Sequence, residues 1–311
     1  MLQSVKRHEP ILRNGVTVMI FALTGDRHFL QHLKEGRMTG YVHSIFKRTI
    51  NMVCLNDGHL YTFASEVIDN APNTLVLNCT TMENLSVAVN DRIHSDGRVV
   101  WIGTAQGISF SEAQPWDTGL PDYPQNTNGI SKNLTYVKQR IREVGTAGGI
   151  KPGVNQTTPF EQEVRMMLSK NTASLVDHLA AGDVAGALRD AQSLLGLGPG
   201  LTPSGDDYLT GMIAVFMVHN HPIPELQQFG KEVAVIAKKA TNIISFSAIE
   251  QASNGKVRES IAQLISYLLT GEEEFLFAVD DVLQIGSSSG TDIALGIVAG
   301  IELTMKIGGN L

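Results

Sequence analysis

The spacing of apolar residues changes once along this chain of 311 residues, from strand-like runs to helical periodicity. Between residues 37 and 110, short runs such as YVHSIF and TLVLNC are separated by turn signals such as Asp57-Gly58. Asp-Gly pairs supply the positive φ of tight hairpins, and β-branched and aromatic residues suit a pleated surface. From Thr158 onward, the apolar residues recur at the spacing of helices. Strands and helices are therefore segregated along the chain, which predicts an α+β fold.

Three segments follow from this pattern. Residues 1–110 are predicted to form a β-rich domain, a small barrel or sandwich, in which residues 16–23 are a strand and not a secretory signal segment. Residues 111–157 are rich in Pro and Gly and are predicted to be a connector with one helix near residues 132–144. Residues 158–311 are predicted to be an all-helical domain, which carries the glycine-rich loop described below.

A clear helix start opens the all-helical domain. Thr158 is the predicted N-cap, Pro159 occupies the first helical position, and Glu161 stands three residues after the cap. This arrangement is a capping box, in which the cap and the Glu side chain satisfy each other's backbone N–H groups. Successive helices are predicted at about 159–181, 184–195, 206–219, 224–239, 242–253, 257–270, 272–284 and 291–306.

Composition excludes several classes of protein. The chain has 24 Lys and Arg against 31 Asp and Glu, a net charge of −7, so it lacks a global basic field for a nucleic acid or an anionic membrane. No apolar run approaches the ~18 residues that a spanning helix requires, which predicts no membrane insertion. Cys54 and Cys79 are too few for a disulfide framework, so we expect reduced thiols and a cytoplasmic location.

The segment with the most unusual composition is the loop Gly196–Gly211, GLGPGLTPSGDDYLTG, which leads directly into an apolar helix. Glycine lets the main chain approach a ligand closely, and a helix start offers unpaired N–H groups and the positive end of the macrodipole. Both features favour an anion. The loop has no P-loop Lys and follows a predicted helix, so Walker-type nucleotide binding does not fit. The candidate anion-binding residues are Gly198, Gly200, Thr202, Ser204 and Gly205, and the candidate acid–base residues are Asp206 and Asp207.

Two further helix starts have a similar composition. Ile285–Gly296 reads IGSSSGTDIALG, with hydroxyl residues around glycine ahead of an acidic residue. The helix at about 242–253 begins with hydroxyl residues four apart, which share one face and can line a polar cavity. We therefore expect one site for a small anionic ligand. The anion-binding candidates in these segments are Thr241, Ser245, Ser288, Ser289 and Gly290, and Asp292 is a third candidate acid–base residue.

The GLGPGLTPSGDD loop, together with GYVHSIF in the β-rich part and GSSSGTD near the C-terminus, resembles the AllH family over most of the chain. The resemblance implies a subunit of oxamate carbamoyltransferase, which interconverts carbamoyl phosphate plus oxamate with oxalurate plus phosphate in the anaerobic breakdown of allantoin. It also implies a hetero-oligomer with AllF- and AllG-like subunits. Carbamoyl phosphate, oxamate and oxalurate are all anions, which agrees with the anion site indicated by the residues.

Two other interpretations stay open at this stage. A non-catalytic scaffold subunit that senses an anionic metabolite accounts for the lack of a self-evident nucleophile or base in the sequence. TPSGDDYLTG is also similar to the anion-hole element of ribokinase-like small-molecule kinases, although that fold places strand–helix alternations before its motif.

The sequence requires no cofactor and no resident metal. Adjacent Asp206 and Asp207 are compatible with Mg²⁺, but they also suffice as helix-capping residues. The sequence does not rank the three Asp residues as proton carriers.

Overall fold

The computed structural model describes residues 18–117, 119–153, 158–272 and 276–309. The chain forms two compact units, Met1–Asp117 and Thr118–Leu311. The first holds the strands and one helix and the second holds the other helices, so the predicted α+β fold is confirmed. In these described ranges, no helix combines the length and the apolar character needed to cross a bilayer. A cytoplasmic location stays a prediction.

The described part of the first unit contains nine strands, β1 Val18–Asp26, β2 Thr39–Ile45, β3 Thr49–Cys54, β4 Leu60–Ser65, β5 Thr74–Leu77, β6 Arg92–Ser95, β7 Val99–Ile102, β8 Gln106–Ser109 and β9 Gln114–Trp116. Eight of them follow the order β5-β4-β3-β2-β6-β7-β8-β1, and β1 pairs back to β5 with Ala22 opposite Leu77. The sheet is thereby closed, so the barrel form of the prediction is confirmed. The strand predicted at residues 16–23 corresponds to β1, and residues 16 and 17 lie outside the described residues.

Helix α1 (Arg27–Lys34) packs its apolar face into the core of the barrel. Phe29, Leu30 and Leu33 are buried there, because positions three and four residues apart lie on one side of a helix. The ring centroid of Phe29 lies 4.4 Å from that of Tyr61 on β4. The Asp26 side chain accepts a hydrogen bond from the His28 N–H and caps the helix.

The described part of the second unit contains helices α2 Ile130–Val144, α3 Pro159–Ala180, α4 Val184–Leu194, α5 Ser204–Phe216, α6 Pro224–Ala240, α7 Ile243–Ser253, α8 Glu259–Thr270, α9 Ala278–Leu283 and α10 Ser289–Ile307. The capping box predicted at the start of α3 is present, with reciprocal bonds between Thr158 and Glu161. The helix predicted at 272–284 is too long. Gly271 at φ +75° ends α8, and among the described residues of the range 272–284 the only helix is α9.

The segment 111–157, which the sequence presents as a connector, contains β9 and helix α2. Helix α2 packs against α8, α9 and α10. The Asn133 side chain donates to the carbonyl of Tyr267 on α8 at 3.1 Å, and Arg140 pairs with Asp280 on α9 at 2.6 Å. The helix predicted near 132–144 is therefore an integral part of the helical unit.

Helices α5 and α10 run parallel, in direct backbone contact. A Cβ at Gly296 would lie 2.0 Å from the carbonyl oxygen of Tyr208, and a Cβ at Gly300 would lie 3.2 Å from that of Met212. Because contacts advance in the same direction along both helices, their N-termini lie at the same end of the pair. Two positive helix ends side by side favour negative charge at that end.

Candidate functional site

The N-terminal ends of α5, α7 and α10 meet in the helical unit. The hydroxyls of Thr202, ahead of α5, and Ser289, at the start of α10, lie 2.8 Å apart. Thr241, ahead of α7, donates its hydroxyl to Oδ2 of Asp206 at 2.5 Å. The three segments that the sequence singled out are therefore adjacent. We call this assembly the helix-start cluster, and it comprises residues 196–207, 241–245 and 288–292.

The loop ahead of α5 has a backbone that requires glycine. Its left-handed residues are Gly196 at φ +74°, Gly198 at φ +126° and Gly200 at φ +95°. A Cβ at Gly198 would lie 2.6 Å from the backbone nitrogen of Ser204, so the loop folds directly onto the first residue of α5. Asn242 ties the same loop to α7 by donating to the carbonyl of Leu201 at 2.9 Å.

Backbone N–H groups in the loop fall into two sets. The amide of Gly205 donates to the carbonyl of Leu197, and that of Asp206 donates to the carbonyl of Pro203, so these two amides are already used. Among the described residues, no side chain caps the N-terminal end of α5 or of α10 by a hydrogen bond. Within the described residues, the loop amides that donate no hydrogen bond are those of Gly198, Gly200, Leu201, Thr202 and Ser204.

Asp206 has a structural position in the helix-start cluster. Its Oδ1 accepts from the amide of Gly196 at 2.8 Å, and its Oδ2 accepts from Thr241. Burial raises the pKa of Asp206, and the hydrogen bonds from Thr241, Gly196 and Ser245 counter that rise. Both carboxylate oxygens therefore hold the loop and α7 together. Asp206 is thus not among the candidate proton carriers that have an unused oxygen.

Asp207 and Asp292 have unused oxygens. In both side chains, Oδ2 is buried and has no hydrogen-bond partner in the described part of the chain. Burial raises the pKa of Asp207 to about 8, against a lowering by the Ser289 hydroxyl. Burial also raises the pKa of Asp292 to about 6, against a lowering by the Ile150 amide. Burial therefore favours the protonated form of both carboxyls, more strongly for Asp207 than for Asp292.

Ser204 adds a third unused polar group. Its side chain is 1% exposed, and its hydroxyl forms no hydrogen bond of standard geometry among the described residues. It lies near enough to Asp292 to lower the pKa of that carboxyl. A buried hydroxyl without a partner costs about 1–3 kcal/mol, and a bound ligand can satisfy it.

The turn after α2 lies against the start of α10, a position that the sequence pattern did not indicate. The Thr146 amide donates to the hydroxyl of Thr291 at 2.8 Å, and the Ile150 amide donates to Oδ1 of Asp292 at 2.8 Å. A Cβ at Gly149 would lie 2.0 Å from Oδ2 of Asp292. The glycines of this turn were the available signal, but the sequence pattern placed them in a connector.

Two glycines proposed as ligand contacts have a packing position instead. A Cβ at Gly205 would lie 2.0 Å from the carbonyl oxygen of Leu194, and a Cβ at Gly290 would lie 1.9 Å from that of Val282. The Gly290 amide also donates to a protein carbonyl, that of Ile285. These glycines let α5 and α10 approach their neighbours, and their amides are not available to a ligand.

Two further serines belong to the helix-start cluster. Ser245 is buried in the first turn of α7, where its amide donates to the Asn242 side chain at 3.1 Å. Ser288 is the residue that precedes α10, and its side chain makes no cap hydrogen bond.

The surroundings of the loop disfavour a ribokinase-like kinase. The glycine-rich loop connects α4 to α5, and the described part of the unit around it consists of helices joined by loops. The strand–helix alternation that precedes the anion-hole element in that fold is not found in these residues.

Fold and site together define a two-unit protein, in which a closed eight-stranded barrel precedes a helical unit with a cluster of polar helix starts. The chain belongs to the AllH family. The model described as oxamate carbamoyltransferase subunit AllH matches residues 194–301, and the model of the AllH family N-terminal domain matches residues 21–115. The resemblance stated from the sequence is thereby confirmed, and the family is named for a carbamoyltransferase subunit. No solved structure matches the chain.

Proposed function

We propose that this chain is the subunit of an oxamate carbamoyltransferase that binds the phosphorylated or carboxylated substrate at the helix-start cluster. The observation that carries the proposal is the pair of parallel helices α5 and α10. Their N-termini lie together, without a side-chain cap, beside loop amides that donate to no group in the described part of the protein. Amides and helix ends of this kind bind phosphate and carboxylate oxygens. Carbamoyl phosphate, oxamate and oxalurate each present one of these groups.

A protonated Asp207 has no negative charge, so an anionic ligand can bind beside it. Its pKa of about 8 leaves the carboxyl mostly neutral at pH 7, so it can donate a hydrogen bond instead of repelling the ligand. Asp206 is compensated by its own donors, Gly196 and Thr241. Asp292 is then the one mostly ionised carboxylate with an unused oxygen in the cluster.

These protonation states suit a carbamoyl transfer. The amide nitrogen of oxamate attacks the carbamoyl carbon, negative charge develops on the carbamoyl oxygen, and the bond to the phosphate oxygen breaks. We assign Asp292 as the base that takes the proton from the attacking nitrogen. Asp207 and the loop amides stabilise the developing negative charge, a contribution that is commonly the largest to the rate.

The proposal also includes partner subunits and a bound Mg²⁺ ion. The family is named for one subunit of the enzyme, so we propose a hetero-oligomer with AllF- and AllG-like subunits. The unpartnered oxygens of Asp207 and Asp292 are also hard ligands of the kind that Mg²⁺ prefers. Joint binding of Mg²⁺ and a phosphate at the cluster is therefore a variant of the proposal. The titrations with and without Mg²⁺ described below test it directly.

The test is a calorimetric titration of the purified chain with carbamoyl phosphate, oxamate and ATP, each with and without Mg²⁺. Ser204→Ala is the informative variant, because it removes a buried hydroxyl that has no partner in the described protein. We expect this variant to bind about 10-fold more weakly or worse, since the ligand loses a donor worth about 1–3 kcal/mol. The unliganded variant is expected to be at least as stable as the wild type. The matched control is Ser253→Ala, which removes a buried hydroxyl bonded to Glu250 elsewhere on α7.

The outcomes separate the interpretations. Saturable binding of carbamoyl phosphate or oxamate that Ser204→Ala weakens and Ser253→Ala does not would support the proposal. Binding of ATP alone would favour a kinase. If no ligand binds to the chain alone, the titration is repeated with the assembled hetero-oligomer. Unchanged affinity of the assembled Ser204→Ala protein would then contradict a ligand site at the helix-start cluster.

A further inference from the structure

A second polar cluster lies in the barrel unit, apart from the residues discussed so far. It consists of His32 on α1, Cys54 at the end of β3 and Asp57 in the turn between β3 and β4. The Sγ of Cys54 lies 3.6 Å from Nε2 of His32, and the Oδ2 of Asp57 lies 3.8 Å from the same nitrogen. One ligand-type atom from each residue lies within 4.8 Å of both others.

The use of one imidazole nitrogen distinguishes this cluster from a catalytic triad. In a Cys-His-acid triad, the thiol faces one ring nitrogen and the acid orients the ring through the other. Here the thiol and the carboxylate both face Nε2 of His32. Three different types of ligand atom within 4.8 Å of one another are the grouping expected around a shared cation.

The distance between Cys54 and His32 suits a tetrahedral metal. Zn–S bonds of about 2.3 Å and Zn–N bonds of about 2.0 Å place a sulfur and a nitrogen ligand about 3.6 Å apart in a tetrahedral site. The Cys54–His32 distance is 3.6 Å. A carboxylate oxygen and a nitrogen would be about 3.3 Å apart, so Asp57 needs a small side-chain rotation to close the site.

The ligands are held by a further layer of contacts. The Tyr61 hydroxyl donates to Oδ2 of Asp57 at 2.9 Å, and the amide of His59 donates to Oδ1 at 2.8 Å. The ring of Tyr61 stacks on that of His32, with centroids 5.4 Å apart. Such contacts orient metal ligands before the ion arrives. Cys54 is fully buried, whereas the Asp57 side chain is 26% exposed, which leaves a route for an ion and a water ligand.

We propose that His32, Cys54 and Asp57 bind Zn²⁺, with a water molecule at the fourth position. On binding, the Cys54 thiol releases its proton to solvent and the thiolate forms the bond to the metal. The ion then joins α1 to the β3–β4 hairpin. The sequence had indicated no metal here, because only the fold brings His32 to the hairpin.

Cobalt tests the site without any enzyme assay. The full-length protein, reduced and freed of metal with a chelator, is titrated with Co²⁺, and the near-ultraviolet thiolate-to-cobalt absorption is recorded. We expect a saturable band that Zn²⁺ removes by displacing Co²⁺. Cys54→Ser should lose the band. Cys79→Ser is the matched control, because it changes the second free cysteine of the chain and should keep the band.

The melting temperature gives a second measurement of metal binding, which does not depend on the absorption of the thiolate. Zn²⁺ should raise the melting temperature of the wild type and of Cys79→Ser, because an ion that binds only the folded state stabilises it. His32→Gln should show a much smaller rise. Absence of the cobalt band in the wild type, or an equal band in Cys54→Ser, would overturn the proposal, as would an equal thermal shift in His32→Gln. Circular dichroism of each variant before metal addition verifies the fold.

Discussion

Gly296 on α10 lies against the backbone of Tyr208 on α5, where a single Cβ would come within 2.0 Å of the Tyr208 carbonyl oxygen. This contact sets the separation and the parallel direction of the two helices. It therefore also sets the place where their N-termini meet. The helix-start cluster depends on a glycine that lies about two turns beyond the start of α10, because rigid helices transmit the position of one contact along their length.

The first prediction concerns that contact. Gly296→Ala should reduce the free energy of unfolding of the helical unit by about 1–3 kcal/mol, because the added methyl group forces α5 and α10 apart. Urea unfolding followed by circular dichroism measures the change. Gly119→Ala is the control, since a Cβ at Gly119 meets no atom within 4 Å in the described part of the chain, and its effect should stay within about 0.5 kcal/mol. Equal stability of the two variants would contradict the backbone contact.

The second prediction concerns pH. The folded protein holds a proton on Asp207 up to a pH of about 8, whereas an unfolded Asp releases it near its ordinary value of 3.8. Between these values the folded state binds more protons than the unfolded state, so the contribution of Asp207 to stability falls as the pH rises. Asp292 adds the same trend below a pH of about 6. Asp207→Asn should therefore flatten the decline in unfolding free energy between pH 6 and 8.

The measurement for this prediction is a series of urea titrations at pH 5, 6, 7 and 8. One titrating proton changes the slope by at most about 1.4 kcal/mol per pH unit, so the difference between wild type and Asp207→Asn should approach but not exceed this value. Asp177→Asn, an exposed position on α3, is the control and should follow the wild type. If Asp207→Asn keeps the wild-type slope of unfolding free energy against pH, another group is responsible for the decline.

The third prediction concerns the hydroxyl that Thr241 donates to Asp206. Thr241→Val keeps the shape of the side chain but leaves a buried carboxylate oxygen without its donor. We expect a loss of about 1–3 kcal/mol in unfolding free energy. Thr241→Ser retains the hydroxyl and should keep most of the stability, as chemical denaturation of both variants would reveal. If Thr241→Val and Thr241→Ser have the same free energy of unfolding, the hydrogen bond contributes nothing measurable to stability.

The fourth prediction concerns the start of α3. Thr158→Ala removes the N-cap hydroxyl that accepts from the Glu161 amide, and it should destabilise the helix by about 1 kcal/mol. Thr158→Ser preserves the acceptor and should be close to the wild type. Amide hydrogen exchange in the first turn of α3 measures the effect locally. We expect faster exchange in Thr158→Ala but not in Thr158→Ser. Equal exchange rates in the two variants would contradict the contribution of the cap.

The sequence by itself determined the segregation of strands and helices, the bounds of most helices and the cap at Thr158. These features depend on local periodicity and on contacts within four residues, which a single stretch of sequence contains. The sequence also identified the glycine-rich loop and the serine-rich start of α10. It could not separate Gly198, which lies against the Ser204 amide, from Gly205, which lies against Leu194, because both occur in the same run.

Only the tertiary structure decided the relations that join distant parts of the chain. It placed Ile150 beside Asp292, assigned both oxygens of Asp206 to structural hydrogen bonds and brought His32 to Cys54. It also closed the barrel by pairing β1 with β5. Each of these contacts joins residues at least ten positions apart. No local pattern encodes such a contact, since it arises from packing that minimises exposed apolar surface over a whole unit.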